Sequence, residues 1–111
     1  MKLLIVGASG LVGSHVLAEA LQRGFQAKGT YRSHAWPELL PLDLADLAAV
    51  EKVLDDYRPE VVVHAAGWTW VDGCEKDPAR AQRENVEQPA ALARLCFSRG
   101  ARFVYFSTSY V

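Results

Sequence analysis

The chain has 111 residues, with 12 Lys and Arg against 13 Asp and Glu, and its formal net charge of −1 excludes the basic surface that DNA or RNA binding demands. Its apolar runs are strand-sized and none is long enough to cross a bilayer, while the N-terminus shows no signal-peptide pattern, so a cytoplasmic protein with no membrane partner is expected. Cys74 and Cys96 are too few and too far apart for a disulfide framework or a zinc site, and His15, His34 and His64 stand singly, so no metal is predicted.

Residues 2–6, KLLIV, form the short aliphatic run of a strand buried on both faces in a parallel sheet. The run breaks at Gly7 into Gly7-Ala8-Ser9-Gly10-Leu11-Val12-Gly13, a G-x-x-G-x-x-G spacing that opens a helix. At this spacing the first glycine permits a sharp turn, the second lets backbone approach a pyrophosphate, and the third packs helix against strand. The unpaired N–H groups of the first helical turn and its positive dipole end face the ligand, and Ser9 adds a hydroxyl donor, so a diphosphate is held without a basic side chain. A tight strand-to-helix turn with no ligand is the alternative. The helix is predicted over 11–23, burying Val12, Val16, Leu17, Ala20 and Leu21, with Gly24 as its left-handed cap.

A second strand follows over 26–31. A third, over 39–42, is a weaker pattern, because residues 32–38 hold no helix and parallel crossovers normally need a dozen or more residues. The second helix starts at the Asp46 cap and carries Leu47, Val50, Val53, Leu54 and Tyr57, before Arg58-Pro59 turns the chain into a fourth strand over 60–64. Asp77-Pro78 opens a long helix reaching Ser98 that bends at Pro89, Gly100 caps it, and a fifth strand covers 102–107. Strand and helix patterns thus alternate throughout. They predict one α/β domain over 1–111, a Rossmann-type doubly wound parallel sheet in the order 3-2-1-4-5, truncated after strand five. Its ligand crevice lies beyond the carboxyl ends of strands one and four.

The end of strand two meets the adenosine ribose in such a site, where an acidic residue selects NAD(H) and an arginine accepts the extra phosphate of NADP(H). The chain reads Tyr31-Arg32-Ser33-His34 there, with no carboxylate between Glu19 and Glu38. The Arg32 guanidinium suits a 2′-phosphate, so NADP(H) is expected ahead of NAD(H). A solvated loop cation is the alternative.

Together with the glycine turn, four more segments carry a family pattern: Asp43-Leu44, His64-Ala65-Ala66-Gly67, Asn85-Val86 and Ser107-Thr108. The chain resembles the extended short-chain dehydrogenase/reductases over its whole length. Within them it is most similar to dTDP-4-dehydrorhamnose reductases and related sugar-nucleotide reductases, through 65–75 (AAGWTWVDGCE) and 105–111 (YFSTSYV). The resemblance implies that Asp43 accepts the adenine amino group while Leu44 covers the ring, although Asp43 also suits an approach to the Asp46 cap. It implies that the small residues Ala65, Ala66 and Gly67 pass under the nicotinamide ribose, where close packing at a strand end is the alternative. It implies that Thr108 is the catalytic hydroxyl on the substrate carbonyl or alcohol, with Phe106 and Ser107 against the cofactor. Trp68 and Trp70 either wall the crevice or serve as core or interface aromatics.

Two departures stand out. Ser109 replaces the aspartate of the common Ser-Thr-Asp-Tyr-Val run, and the family's proton donor, a tyrosine in Tyr-x-x-x-Lys, is absent, since the last lysine is Lys76. The expectation is therefore a fragment of a longer reductase acting on a nucleotide-sugar keto group, inactive alone. The alternatives are a non-catalytic dinucleotide-binding regulatory subunit or sensor, and a nucleotide-sugar epimerase or dehydratase. Oligomeric state is left open, with a dimer among the options.

Overall fold

A computed structural model describes residues 1–32, 38–65 and 77–106. Five strands, β1 (Lys2–Val6), β2 (Gln26–Tyr31), β3 (Leu40–Pro41), β4 (Val61–His64) and β5 (Arg102–Tyr105), form one sheet in the order β3-β2-β1-β4-β5, parallel at every pairing. The predicted fold class and strand order hold.

Alternation along β1 builds two cores. Leu4 and Val6 face one side, where Val62 joins Val50 and Leu54 of α2 (Leu47–Tyr57) and Leu92 and Cys96 of the helix before β5. Ile5 faces the other, with Ala8 and Val63, against Val16 and Leu17 of α1 (Leu11–Gln22). A central strand covered on both faces is the reason its sequence reads as an unbroken apolar run.

Helix α1 corrects one expectation: Val12 and Leu21 are exposed, and Gly13 and Ala20 are its buried residues. The contact stripe is Gly13, Val16, Leu17, Ala20, and its small ends bring the helix axis so close that flanking large side chains stay outside. The third strand is also shorter than expected. It pairs Thr30 with Leu40 and Tyr31 with Pro41, so the chain retraces only two residues of strand, about 7 Å, and no crossover helix is required.

Asp46 caps α2 by accepting from the Ala49 N–H at 3.2 Å. Asp77 does the same for α3 (Pro78–Gln82) through the Arg80 N–H at 3.1 Å. The long predicted helix is then interrupted. Residues Arg83–Glu87 form a π-helical turn before α4 (Gln88–Ser98), and the Gln88 N–H donates to the Arg83 carbonyl. Pro89 has no N–H for the carbonyl one α-turn back, so the chain accommodates it with a wider turn just ahead of the ring. Cys96 is a free, buried thiol whose pKa burial pushes up to about 11; Cys74 lies outside the described residues. Among the described residues no helix is long and apolar enough to cross a membrane, and no group of His, Cys, Asp or Glu is arranged to hold a metal.

Candidate functional site

Backbone conformation and packing account for two of the three glycines of the turn. Gly7 has φ +85°, a conformation L side chains rarely adopt. A Cβ on Gly13 would collide with the Gly7 carbonyl, with the Gly7 carbonyl carbon at 2.8 Å and Ala8 Cα at 2.9 Å. Gly10 is different. Its φ is −79° and its nearest neighbour to an added Cβ is the Gly7 oxygen at 3.5 Å, an ordinary contact. Nothing among the described residues forbids a side chain there.

Gly10 is also the N-cap of α1 and offers no side-chain cap. The first-turn N–H groups, those of Leu11, Val12 and Gly13, have no partner inside the helix by construction. They stand at the positive end of the dipole beside a glycine that no contact among the described residues requires, with the half-buried Ser9 adjoining. That arrangement suits a phosphate.

Strand β2 fixes the turn. The Ala8 N–H donates to the Thr30 carbonyl at 2.8 Å and the Gly7 N–H to Thr30 Oγ1 at 3.3 Å, with Thr30 1% exposed. Gly29 makes this approach feasible, since a Cβ on it would collide with the Ala8 methyl and stand 2.7 Å from Leu39 Cδ2. Sequence reading missed both residues. The visible signal was a glycine inside a strand pattern, which marks close backbone approach.

Arg32 follows β2 directly and, with Val6, Gly7, Thr30, Tyr31, Leu42, Leu44 and Gln88, lines a narrow hollow of about 30 Å³ beside the glycine turn. Leu44 is 8% exposed and belongs to the core on the α2 side while forming part of this wall. Asp43 is exposed and its Oδ1 accepts from the Ala45 N–H at 3.0 Å, which commits one carboxylate oxygen to the approach to α2.

The carboxyl ends of β1, β4 and β5 stay paired beyond the strands themselves. The Ala65 N–H donates to the Val6 carbonyl at 2.8 Å and the Phe106 N–H to the His64 carbonyl at 3.0 Å. Ala65 and Phe106 are thereby set side by side at the crevice, with Phe106 exposed. Beneath them His64 is fully buried, edge-on to Tyr105 at 4.9 Å between ring centroids. Burial, partly offset by a backbone hydrogen bond, holds its pKa down at about 4, so it is neutral at neutral pH. Ala66, Gly67, Trp68, Trp70, Ser107, Thr108 and Ser109 lie outside the described residues, as does the Asn85 side chain. A much larger hollow, about 660 Å³ and lined in part by Met1, Pro59, Glu60 and Arg102, opens at the amino ends of β4 and β5, the opposite end of the sheet. Size is therefore no guide to this site.

The entire chain, residues 1–111, matches the family described as RmlD substrate binding domain. The chain belongs to that family. It is 39% identical over 108 residues to a dTDP-4-dehydrorhamnose reductase of Streptomyces griseus, covering 97% of this chain and 33% of the relative. It is 34% identical over 110 residues to methionine adenosyltransferase 2 subunit beta of Bos taurus, covering 99% of this chain and 33% of the relative. Among solved structures, a hypothetical dTDP-4-dehydrorhamnose reductase from Sulfolobus tokodaii superposes with a TM-score of 0.88 at 32% identity, over 100% of this chain and 40% of that one. A dTDP-4-dehydrorhamnose reductase from Bacillus anthracis in complex with NADP gives 0.85 at 27% identity, over 99% and 37%. This RmlD-family chain thus spans about a third of the length of the curated relatives it matches.

Proposed function

We propose that this chain is the dinucleotide-binding part of an NADP-preferring reductase that acts on the keto group of a nucleotide sugar. Gly10 carries the reading. It is the only glycine of the three whose lack of a side chain is unexplained by packing or by φ, and a pyrophosphate on the first-turn N–H groups explains it. The residues present fit the group: Gly7, Ser9, Gly10, Leu11, Val12 and Gly13 around the phosphates, Arg32 at a 2′-phosphate, Asp43 and Leu44 at the adenine, and Ala65, Ala66, Gly67, Phe106 and Ser107 toward the nicotinamide end. A relative of this family has been solved with NADP. When bound, the dinucleotide supplies or takes up a hydride. Thr108 is proposed to orient the substrate carbonyl by hydrogen bonding.

A second reading has its own support. A protein named as a subunit of methionine adenosyltransferase matches 99% of this chain at 34% identity, close to the value for the reductases. Together with Ser109 in place of the usual aspartate, this favours a dinucleotide-binding regulatory subunit as the rival. Residues 1–111 contain no Tyr-x-x-x-Lys, so this stretch is proposed to bind cofactor without turnover in either case.

The test has two arms. Titrating the chain with NADPH should give saturable binding, and NADPH oxidation with keto-sugar nucleotides should appear only when the chain is extended by the remaining length of its relatives. An extended protein that binds NADPH but reduces no keto sugar favours the regulatory subunit. Turnover by residues 1–111 alone would place the whole active site within them and refute the division proposed here.

A further inference from the structure

Helix α4 buries Pro89, Leu92 and Cys96, and Gln88 stands half-buried one turn before Leu92. Leu92 is 2% exposed and Cys96 0%, so these positions are ordinary core. Beside the buried Pro89, at the start of the helix, Gln88 carries an amide. Gln88 is half-buried where α4 meets the carboxyl end of the sheet, and it lines the narrow hollow with Gly7, Tyr31, Arg32 and Leu44. Its side chain makes no hydrogen bond among the described residues. The Gln88 amide remains reachable from solvent and is open to a ligand entering that hollow.

The π-helical turn over Arg83–Glu87 makes this placement deliberate in geometry. One extra residue within a helix rotates everything after it by about 100°. The Gln88 N–H, donated to Arg83 five residues back, is the point at which the rotation is completed.

We infer that Gln88 reads the purine of the bound nucleotide, its side-chain amide hydrogen-bonding the adenine ring from the wall it shares with Arg32 and Leu44. An amide offers one acceptor and two donors, which match the amino group and a ring nitrogen of adenine. Asp43 has one carboxylate oxygen already engaged by Ala45, which leaves the ring in need of a further polar partner. This inference rests on the dinucleotide reading above and adds to it a residue outside the glycine turn and outside the family segments quoted.

The experiment compares wild type with Gln88→Leu, which keeps the shape and removes the hydrogen bonds, and with Gln88→Ala, which removes the bulk, by calorimetric titration with NADPH and with 2′,5′-ADP. Gln88→Leu should weaken both ligands by the same factor, roughly three- to tenfold, with an unchanged unfolding midpoint, and Gln88→Ala should weaken them as well. Unchanged affinity in Gln88→Leu, tighter binding in Gln88→Ala, or a loss with NADPH that 2′,5′-ADP does not share would overturn the inference while leaving the dinucleotide reading intact. Failure of the wild type to bind either ligand would take down both.

Discussion

Gly13 sits against Gly7 so closely that the hydrogen on its Cα is the largest substituent the Gly7 carbonyl tolerates. The contact ties the first turn of α1 to the end of β1, whereas Gly10, three residues earlier in the same helix start, has room for a methyl group.

The two glycines should therefore separate stability from binding. Gly13→Ala, which in an open helix would be favourable by up to about 1 kcal/mol, should here destabilise the fold by roughly 1–3 kcal/mol or more through overpacking. Gly10→Val should leave urea unfolding nearly unchanged and abolish dinucleotide binding. If Gly10→Val binds normally, the turn is purely structural.

Arg32 leaves β2 at the position proposed to meet the adenosine ribose, and no carboxylate precedes it in the strand. Arg32→Ala should weaken NADPH by about one to two decades, the range expected for a charge-assisted contact, and leave NADH almost unaffected. Fluorescence titration of both cofactors checks this; equal losses for the two would remove Arg32 from the 2′-phosphate.

The spacing of Gly7, Gly10 and Gly13 was legible because the backbone turn at Gly7 and the contact of Gly13 with it both act within one short segment. Gly29 and Thr30 were not, because their partners, Ala8, Leu17 and Leu39, come from other elements that only the folded sheet assembles. Pro89 announced a bend, but a proline in the sequence says nothing of the extra residue that precedes it or of the rotation this gives Gln88. Likewise, a 3.6-residue period showed that α1 has an apolar face without revealing that small residues, Gly13 and Ala20, would be its centre.

His64 should make stability depend on mildly acid pH. Its folded pKa is about 4 against an ordinary value of 6.5, so between these limits the unfolded chain binds the proton more readily. Stability is then fully present above about pH 6.5 and is lost as the pH falls toward 4, by roughly 3 kcal/mol at about 1.4 kcal/mol per pH unit. Urea unfolding at pH 7.5, 6.5, 5.5 and 4.5 should show this slope, and His64→Leu should flatten it. An equal slope in the variant would assign the effect to other groups.

Asp46 accepts from the Ala49 N–H at the start of α2, and α2 supplies Val50 and Leu54 to the larger core. Asp46→Ala should cost about 1 kcal/mol and Asp46→Asn much less. Thermal unfolding of the pair would show whether the cap or the charge matters.

Peptide N–H groups point alternately to the two sides of a strand. In the third strand of the sheet the Leu42 N–H turns inward to the Tyr31 carbonyl, so the outward position belongs to Pro41, which has no hydrogen to give. That flank cannot template another strand. Accretion, whether of further chain or of a second molecule, is directed to the other flank, along Arg102–Tyr105, and the sheet has a built-in direction of growth.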